Sequence, residues 1–340
     1  MCMKIFPDQF PVFETSERIL RKLLDEHTIT RGQFLKLCAG TATYCSARSI
    51  LAPLIHAQTE YNGRTKRTVQ TPYDLAVAHG NDPFQMTVQA VRALGGMEKF
   101  VKKNSVVVVK PNIGWDREPE QAGNTNPDVV AALVELCYKA GARRVNVFDI
   151  TCNDPRRCYA NSGIQKAAEA KGAMVFIPDD WNMVKARFSK KSPMQDWPIF
   201  RDALSCDTLI NVPIVKHHSL TRLTLSIKNL MGVCGGSRGS MHFNIGEKLS
   251  DLTGFMQPDL TVIDAFRVLM RHGPSGGNLE DVALKNTVIA GTDPVLADSY
   301  ASRLMDRDPS EIPYIETAAR QGLGSRDLSV AKIEHINISP

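Results

Sequence analysis

Residues 106–148 read VVVVKPNIGWDREPEQAGNTNPDVVAALVELCYKAGARRVNVF and contain the pattern that decides the fold. Four consecutive valines at 106–109 are typical of a strand that is buried on both faces. Asn126-Pro127 is a favourable cap and first residue for a helix, which we expect to end at Gly141. A second apolar run at 145–148 predicts another strand. The stretch therefore predicts a strand, a helix and a strand, the unit from which parallel sheets are built.

Similar units recur along residues 71–330, so we expect one α/β domain there, with a mainly parallel sheet flanked by helices in the doubly wound manner. The predicted strands lie at 73–79, 106–109, 145–148, 174–177, 208–212, 260–263 and 287–290. The predicted helices lie at 83–94, 126–139, 160–171 and 219–231, with a further helix opened by Asp293-Pro294. The runs 106–112 and 209–218 both end an apolar strand in lysine, which is also compatible with two pseudo-repeated halves.

The composition of the 340 residues excludes several classes of protein. Hydrophobic residues make up 43% and charged residues 23%, which is ordinary for a globular protein and excludes a wholly disordered chain. No apolar run is long enough for a stable membrane span. The net charge of +5 is small for this length, and no arginine-rich stripe is interleaved with aromatic residues, so we expect no nucleic-acid partner.

The eight cysteines contain no C-x-x-C pair and therefore no local ferredoxin or zinc-ribbon motif. Cys152 and Cys158 are the nearest pair in the sequence. Their spacing allows a disulfide, a shared metal site or two ordinary thiols, and we favour ordinary thiols. A metal ion or an iron–sulfur cluster therefore requires ligands that meet only after folding.

The first 57 residues differ in character from the rest. Residues 16–26 form an amphipathic helical pattern, and residues 30–36, TRGQFLK, resemble the twin-arginine export signal, with Gly32 in place of the second arginine. An export leader would place the protein in the periplasm or outside the cytoplasm. The alternative is a helical N-terminal segment of a cytoplasmic protein, because Thr30 and Gln33 also form a capping box. Residues 58–70 are polar and predict an exposed linker.

Polar residues follow several predicted strands, at the places where those strands end. In open α/β sheets, ligands bind outside the carboxyl ends of the strands. We therefore expect a ligand site there. Its predicted residues are Lys110, Asn112, Asp149, Lys216, His217, His218, Asp264 and Asp293.

Residues 216–236, KHHSLTRLTLSIKNLMGVCGG, have the densest set of reactive side chains. On the predicted helix, Thr221, Thr224 and Lys228 share one stripe, and together with Lys216 and His218 they would bind a phosphate or carboxylate. Three histidines are possible metal ligands: His217, His218 and His242. The alternative for the same residues is a solvated helix face, since no single spacing here is specific for a ligand.

Several motifs resemble the bacterial and archaeal family known as domain of unknown function 362. They are VVVKPNIGWD, NTNPDVV, RDALSCDTLINVP, NVPIVKHHSLTRLTLSIKNLMG, PDLTVIDA, GPSGG, IAGTDPVLADSYASRLM and AARQGLG, and they span about residues 73–325. The most specific is K-x-H-x-x-T-x-x-T-x-x-x-K-N, matched from Lys216 to Asn229, which selects His218 rather than His217. The resemblance adds Asn124, Thr125, Asn229, Gly276 and Gly277 to the predicted ligand-binding residues.

What the resemblance implies about activity is limited. Some members of that family carry ferredoxin-type cysteine motifs, which implies an iron–sulfur association and a redox partner, but this chain lacks those cysteines. Members similar to this chain begin with a twin-arginine-like leader, which implies an export partner. The fold alone carries no activity.

Two functions therefore stand beside each other. The first is an enzyme with a metal- or anion-binding pocket and redox or metal-assisted activity, in which Lys216, His218, Lys228 and Asp264 are catalytic. The second is a noncatalytic accessory protein that holds or delivers a metal, a cluster or a small anionic ligand. Both functions use the same predicted pocket, but only the enzyme converts the bound ligand into a product.

Overall fold

The computed structural model describes residues 61–338. The predicted leader helix and the export-signal resemblance lie outside these residues. The twelve strands of the described residues are β1 (Leu75–His79), β2 (Val106–Pro111), β3 (Arg144–Val147), β4 (Met174–Val175), β5 (Met183–Arg187), β6 (Asp196–Phe200), β7 (Thr208–Val212), β8 (Ile214–His218), β9 (Arg222–Thr224), β10 (Leu260–Leu269), β11 (Val282–Gly291) and β12 (Ile333–Asn337).

The α-helices of residues 61–338 lie between the strands along the chain. They are α1 (Pro83–Ala93), α2 (Pro127–Lys139), α3 (Pro155–Asn161), α4 (Ile164–Ala170), α5 (Arg201–Ser205), α6 (Ser226–Asn229), α7 (Ile245–Met256), α8 (Pro294–Arg303) and α9 (Pro313–Arg320). Proline at the first position and an Asp or Asn cap before it explain why α1, α2, α3 and α8 begin where they do.

Ten strands form one mixed sheet with mostly parallel pairs, as the sequence predicts. Its order is β12-β1-β11-β10-β7-β2-β3-β4, with β8 beside β10 and β9 beside β8. Three pairs are antiparallel: β1 with β11, β10 with β11, and β8 with β9. A separate antiparallel pair, β5 and β6, forms a second small sheet. The predicted pseudo-repeat of two halves stays a prediction.

Hydrophobic cores lie on both faces of the large sheet. Val107 and Val109 of β2 pack with α1 and α2, whereas Val108 belongs to the core that includes α7, α8 and α9. Successive side chains of a strand point to opposite faces, so the four-valine run supplies both cores. Helices on both faces confirm the predicted layered α/β architecture.

The largest error in the predicted elements is the helix at 219–231. The chain instead forms the hairpin β8–β9, with Lys216 paired to Thr224, followed by the short helix α6. On the predicted helix, Leu220 would lie in an apolar stripe with Leu223, Ile227 and Leu230, but its side chain is 70% exposed. The spacing of the apolar residues predicted a helix wrongly, because β8 pairs with β10 and so extends the sheet beyond Pro213.

Two smaller differences concern a helix break and the linker. The helix predicted at 160–171 is divided into α3 and α4, because Gly163 has a φ of 70° and interrupts the backbone hydrogen bonding. The described part of the predicted linker, 61–70, is irregular but not fully exposed. Arg64 is buried there and donates to Asp259 at 2.8 Å and to the Cys206 carbonyl at 2.8 Å.

The Arg64–Asp259 ion pair gives a test of this packing. Asp259 also accepts from the backbone N–H of Leu209 on β7 at 2.8 Å, so Arg64→Met leaves a buried carboxylate without its cation. We expect the free energy of unfolding to fall by about 3 kcal/mol in urea denaturation of the full chain.

The matched control for this variant is Arg303→Met. The Arg303–Asp308 pair is exposed, and the loss of an exposed ion pair changes the unfolding free energy by about 1 kcal/mol or less. Equal effects of the two substitutions would contradict the structural importance of the Arg64 contact.

Candidate functional site

A cavity of about 550 Å³ lies at the carboxyl ends of β2, β3 and β8. Its wall includes Lys110 from β2, Asp149 just after β3, and Lys216 and His218 from β8. Lys228 enters from α6 and His242 from the segment before α7. This is the edge of the sheet at which open α/β folds bind ligands, and several predicted site residues meet there.

Lys110 is fully buried and paired. Its Nζ lies 2.9 Å from Asp149 Oδ1 and donates to the backbone carbonyl of Asn229 at 2.5 Å and to Asn229 Oδ1 at 3.0 Å. Burial lowers the pKa of Lys110, and the neighbouring Asp149 carboxylate opposes that shift. Three acceptors satisfy this ammonium, so Lys110 is suited to fix the position of neighbouring groups.

Asn229 links the strands to the cavity floor. Its Oδ1 accepts from Lys110 and from Asn112 Nδ2, and its Nδ2 donates to Asn211 Oδ1 at 2.8 Å. Asn112 in turn accepts from Lys216 Nζ at 3.0 Å. One amide therefore orients the two predicted binding residues Lys110 and Asn112, and through Asn112 it reaches Lys216.

Lys216 and Lys228 lack a carboxylate partner among the described residues. Lys216 Nζ donates to Asn112 Oδ1 and to the Gly123 carbonyl at 2.6 Å. Lys228 Nζ instead lies 3.4 Å from the thioether sulfur of Met231. Burial lowers the pKa of Lys216 to about 7 and that of Lys228 to about 8. Both amines therefore change charge near neutral pH.

His218 is a neutral imidazole. Its Nδ1 accepts from the backbone N–H of Leu220 at 3.1 Å and that of Thr221 at 3.4 Å, so the ring proton is on Nε2. Burial, followed by the charge of Lys228, lowers the pKa of His218 to about 2. The ring stacks on His242 with centroids 5.6 Å apart, and burial also lowers the pKa of His242.

Two buried polar atoms on the cavity wall have no hydrogen-bond partner within residues 61–338. They are Thr224 Oγ1 and His242 Nε2. Buried polar atoms in native proteins are almost always satisfied by protein, water or ligand. Their position in the wall makes a bound polar ligand a physical explanation for both.

The sequence did not single out Arg238, Thr151 or Cys152 as site residues, although all three line the cavity. Arg238 donates to the Ile150 carbonyl at 2.6 Å and also to the Thr151 carbonyl, which joins the loop after β3 to the loop after α6. The one available signal was position: Arg238 lies inside a glycine-rich segment, and Cys152 follows a predicted strand end.

The charged residues of the wall are unbalanced. Four cationic side chains, Lys110, Lys216, Lys228 and Arg238, face one carboxylate, Asp149, in the part of the chain that the structure describes. The two histidines of the wall are neutral for the reasons given above. The cavity therefore has an excess of positive charge and is suited to an anion.

Other predicted site residues lie close by but serve the framework. Thr125 Oγ1 donates to the Val212 carbonyl and accepts from the N–H of Asn112. The Asn124 side chain bonds both the N–H and the carbonyl of Trp115. Thr221 Oγ1 donates to the Leu223 carbonyl at 3.0 Å. These bonds shape the loops that carry Asn112 and His218.

Several predicted residues are not brought into the cavity. Both Asp264 oxygens accept backbone N–H groups, from Asn126 and Phe266, so its carboxylate anchors α2 instead of facing the ligand space. The carbonyls of Gly276 and Gly277 accept from Arg117 and Gln121. His217 points to the other face of β8 from His218, because side chains alternate along a strand.

The predicted metal and cluster ligands do not assemble. Within the described residues, no three His, Cys, Asp or Glu side chains are placed to hold a metal ion. Cys152 and Cys158 are both free thiols, Cys152 exposed and Cys158 buried. No three-ligand metal or cluster site therefore forms within residues 61–338, and His217 does not join His218 and His242 because it faces away; the metal and iron–sulfur expectations stay predictions.

Gly232 gives a test of the cavity floor. A Cβ at this position would overlap Asp149 Oδ1 and the Lys110 ammonium, so Gly232→Ala must separate the buried ion pair. We expect the unfolding free energy to fall by about 2 kcal/mol, the usual cost of overpacking a filled interior, as measured by urea denaturation.

Gly239→Ala is the matched control in the same cavity wall. A Cβ there meets no atom within 4 Å, and we expect no comparable loss of stability. If the Gly232 variant were as stable as the Gly239 variant, the packing of Gly232 against the Lys110–Asp149 pair would be refuted.

The chain belongs to the family described as Domain of unknown function (DUF362), which matches residues 107–303. A curated relative is the thylakoid-associated protein sll1697 of Synechocystis sp., 28% identical over 242 residues that cover 68% of this chain and 72% of that protein. The family resemblance seen in the motifs is thereby confirmed.

Among solved structures, the lactate racemase apoprotein from Thermoanaerobacterium thermosaccharolyticum is similar with a TM-score of 0.41 and 10% identity. The match covers 69% of this chain and 57% of the racemase chain. No helix within residues 61–338 is long and apolar enough to cross a membrane.

Proposed function

We propose that the cavity binds a small ligand that carries a carboxylate, phosphate or similar anionic group. The observation that carries this proposal is the ammonium of Lys228, which is 8% exposed and has no oxygen acceptor among the described residues. A buried ammonium without an anionic or carbonyl partner is costly, and an anionic ligand would supply the missing acceptor.

Neighbouring groups in the cavity wall complete the binding set for such an anion. Lys216 and Arg238 add positive charge, and Thr224 Oγ1 is an unused hydroxyl in the same wall. The neutral His218 offers an Nε2–H donor without adding charge. Charge-assisted hydrogen bonds from such groups are stronger than those between neutral partners.

Lys216 extends the proposal from binding to catalysis. With a pKa near 7, it is present both as ammonium and as free amine at neutral pH, the condition under which an amine transfers protons efficiently. We therefore favour an enzyme in which Lys216 acts as acid and base on an anionic substrate. The noncatalytic alternative, an accessory protein that holds the same ligand, differs in showing binding without turnover.

Sulfate titration of the full chain tests the binding proposal. In isothermal calorimetry, we expect Lys228→Met to weaken sulfate binding about tenfold or more, because one buried charge-assisted hydrogen bond is lost. Methionine has a similar length and leaves no buried charge. The control is Lys185→Met on β5, an exposed lysine outside the cavity. Equal affinities of the two variants would refute the role of Lys228.

The pH dependence of sulfate binding is a second prediction. Sulfate keeps its charge while Lys216 and Lys228 lose protons above pKa values of about 7 and about 8. Bound sulfate requires the ammonium forms, so its dissociation constant should rise about tenfold per pH unit above about pH 7, as Lys216 loses its proton, and more steeply above about pH 8, as Lys228 loses its proton as well. The other titratable groups on the wall are Lys110, Asp149, Cys152, Arg238, His218 and His242.

Substitution of Lys228 separates the two lysines in this experiment. The Lys228→Met variant should lose one of the two proton-linked steps and give a shallower pH dependence. An affinity that does not change between about pH 6 and about pH 9 would show that neither lysine binds the anion.

We also propose that residues 1–57 direct export from the cytoplasm. Support comes from the TRGQFLK motif and from a relative whose name places it at the thylakoid. Fusion of residues 1–57 to a folded reporter should move the reporter out of the cytoplasm, and Arg31→Lys should reduce that transport. A reporter that stays in the cytoplasm would favour the helical-segment alternative.

A further inference from the structure

Cys152 differs from every other cysteine that the structure describes. Cys137, Cys158, Cys206 and Cys234 are buried, and burial raises the pKa of each of these thiols. Cys152 is exposed and lines the cation-rich cavity. A thiol that is accessible and close to positive charge is the kind that reacts as a nucleophile.

The backbone holds Cys152 at a defined place in the cavity. Its N–H donates to the Gly114 carbonyl at 2.8 Å, and the preceding carbonyl, that of Thr151, accepts from Arg238. Both contacts come from other segments of the wall, after β2 and after α6. The loop after β3 is therefore fixed on both sides of the cysteine.

Cys152 also lines the same cavity wall as the two lysines that lack carboxylates. After burial, the Cys152 side chain is the largest influence on the pKa of Lys216 and on that of Lys228, and in both cases it raises the pKa. Cys152 and the proposed anion-binding lysines thus share one electrostatic environment.

Two polar groups with unused hydrogen-bonding capacity line the same cavity as the thiol. Thr224 Oγ1 is buried in the same wall with no partner among residues 61–338, and Lys228 contacts only a thioether sulfur there. The thiol is therefore not an isolated surface cysteine. It borders a space that contains unused hydrogen-bonding capacity.

We propose that Cys152 is a nucleophile that attacks a carbonyl carbon of the anionic ligand held by Lys228, with the free amine of Lys216 as the proton carrier. In this step a bond forms between the sulfur and the carbonyl carbon, and the π bond of the carbonyl breaks. The thiol proton passes to the amine of Lys216 and from there to the former carbonyl oxygen, which gives a hemithioketal or hemithioacetal. The inference rests on the proposed anion binding and names the substrate class as a small carbonyl compound with an anionic group.

Alkylation with a charged and a neutral reagent tests this proposal on the full chain. Iodoacetate carries a carboxylate, and iodoacetamide is its neutral analogue. Each reagent forms a bond between its CH₂ carbon and the sulfur, as iodide leaves and the thiol proton is released to solvent. Peptide mass mapping measures the modification of Cys152 separately from that of the other cysteines. We expect the ratio of the iodoacetate rate to the iodoacetamide rate to exceed that of glutathione by about tenfold, because the lysines attract the carboxylate.

Matched variants identify the source of any preference. Lys228→Met should reduce the rate ratio toward that of glutathione, whereas Lys185→Met should leave it unchanged. Iodoacetamide serves as the folding control, because an unfolded variant would expose the thiol equally to both reagents. Cys152→Ser should remove the modified peptide, and excess sulfate should slow iodoacetate more than iodoacetamide.

The outcomes separate this inference from the proposed function. Sulfate binding without an iodoacetate preference at Cys152 would overturn the role of the thiol and leave anion binding intact. A preference that disappears in Lys228→Met, with no sulfate bound, would support the thiol and overturn binding of sulfate-like anions. A preference that persists in Lys228→Met would overturn the inference, since the attraction would then come from elsewhere.

Discussion

The cost of burying the Lys110 ammonium is the constraint on which the rest of the site depends. A charge in the interior must be paired and hydrogen-bonded, and here Asp149 and both oxygens of Asn229 supply the partners. These three residues come from β2, from the loop after β3 and from α6. Satisfying one ammonium therefore joins three segments that are far apart in the chain and sets the floor of the cavity.

The ammonium groups of the other two lysines of the cavity, Lys216 and Lys228, have no carboxylate as acceptor among the described residues. Lys216 has a side-chain amide and a backbone carbonyl as acceptors, and Lys228 has a thioether sulfur. With Lys110 already paired to Asp149, no second carboxylate of the described residues balances them within the wall. The same framework that neutralises one charge leaves positive potential in the open space, which favours an anionic ligand over a cation.

The layered fold followed from local patterns, and so did much of the site. The four-valine strand, the Asn126-Pro127 helix start and the Asp293-Pro294 helix start were predicted because buried strands and helix caps have short-range signals. The rule that ligands bind at strand carboxyl ends correctly grouped Lys110, Asn112, Asp149, Lys216 and His218. It failed for Asp264, whose oxygens accept two backbone N–H groups.

The sequence by itself determined the α/β class, the family and the residue types available at the strand ends. Only the tertiary structure decided that residues 214–224 form a hairpin, because pairing of β8 with β10 outweighs a helical spacing of leucines. It also decided which side chains meet: alternation along β8 turns His217 away, and the loops after β3 and α6 bring Cys152 and Arg238 in. Such meetings depend on contacts between distant segments, and no local pattern encodes them.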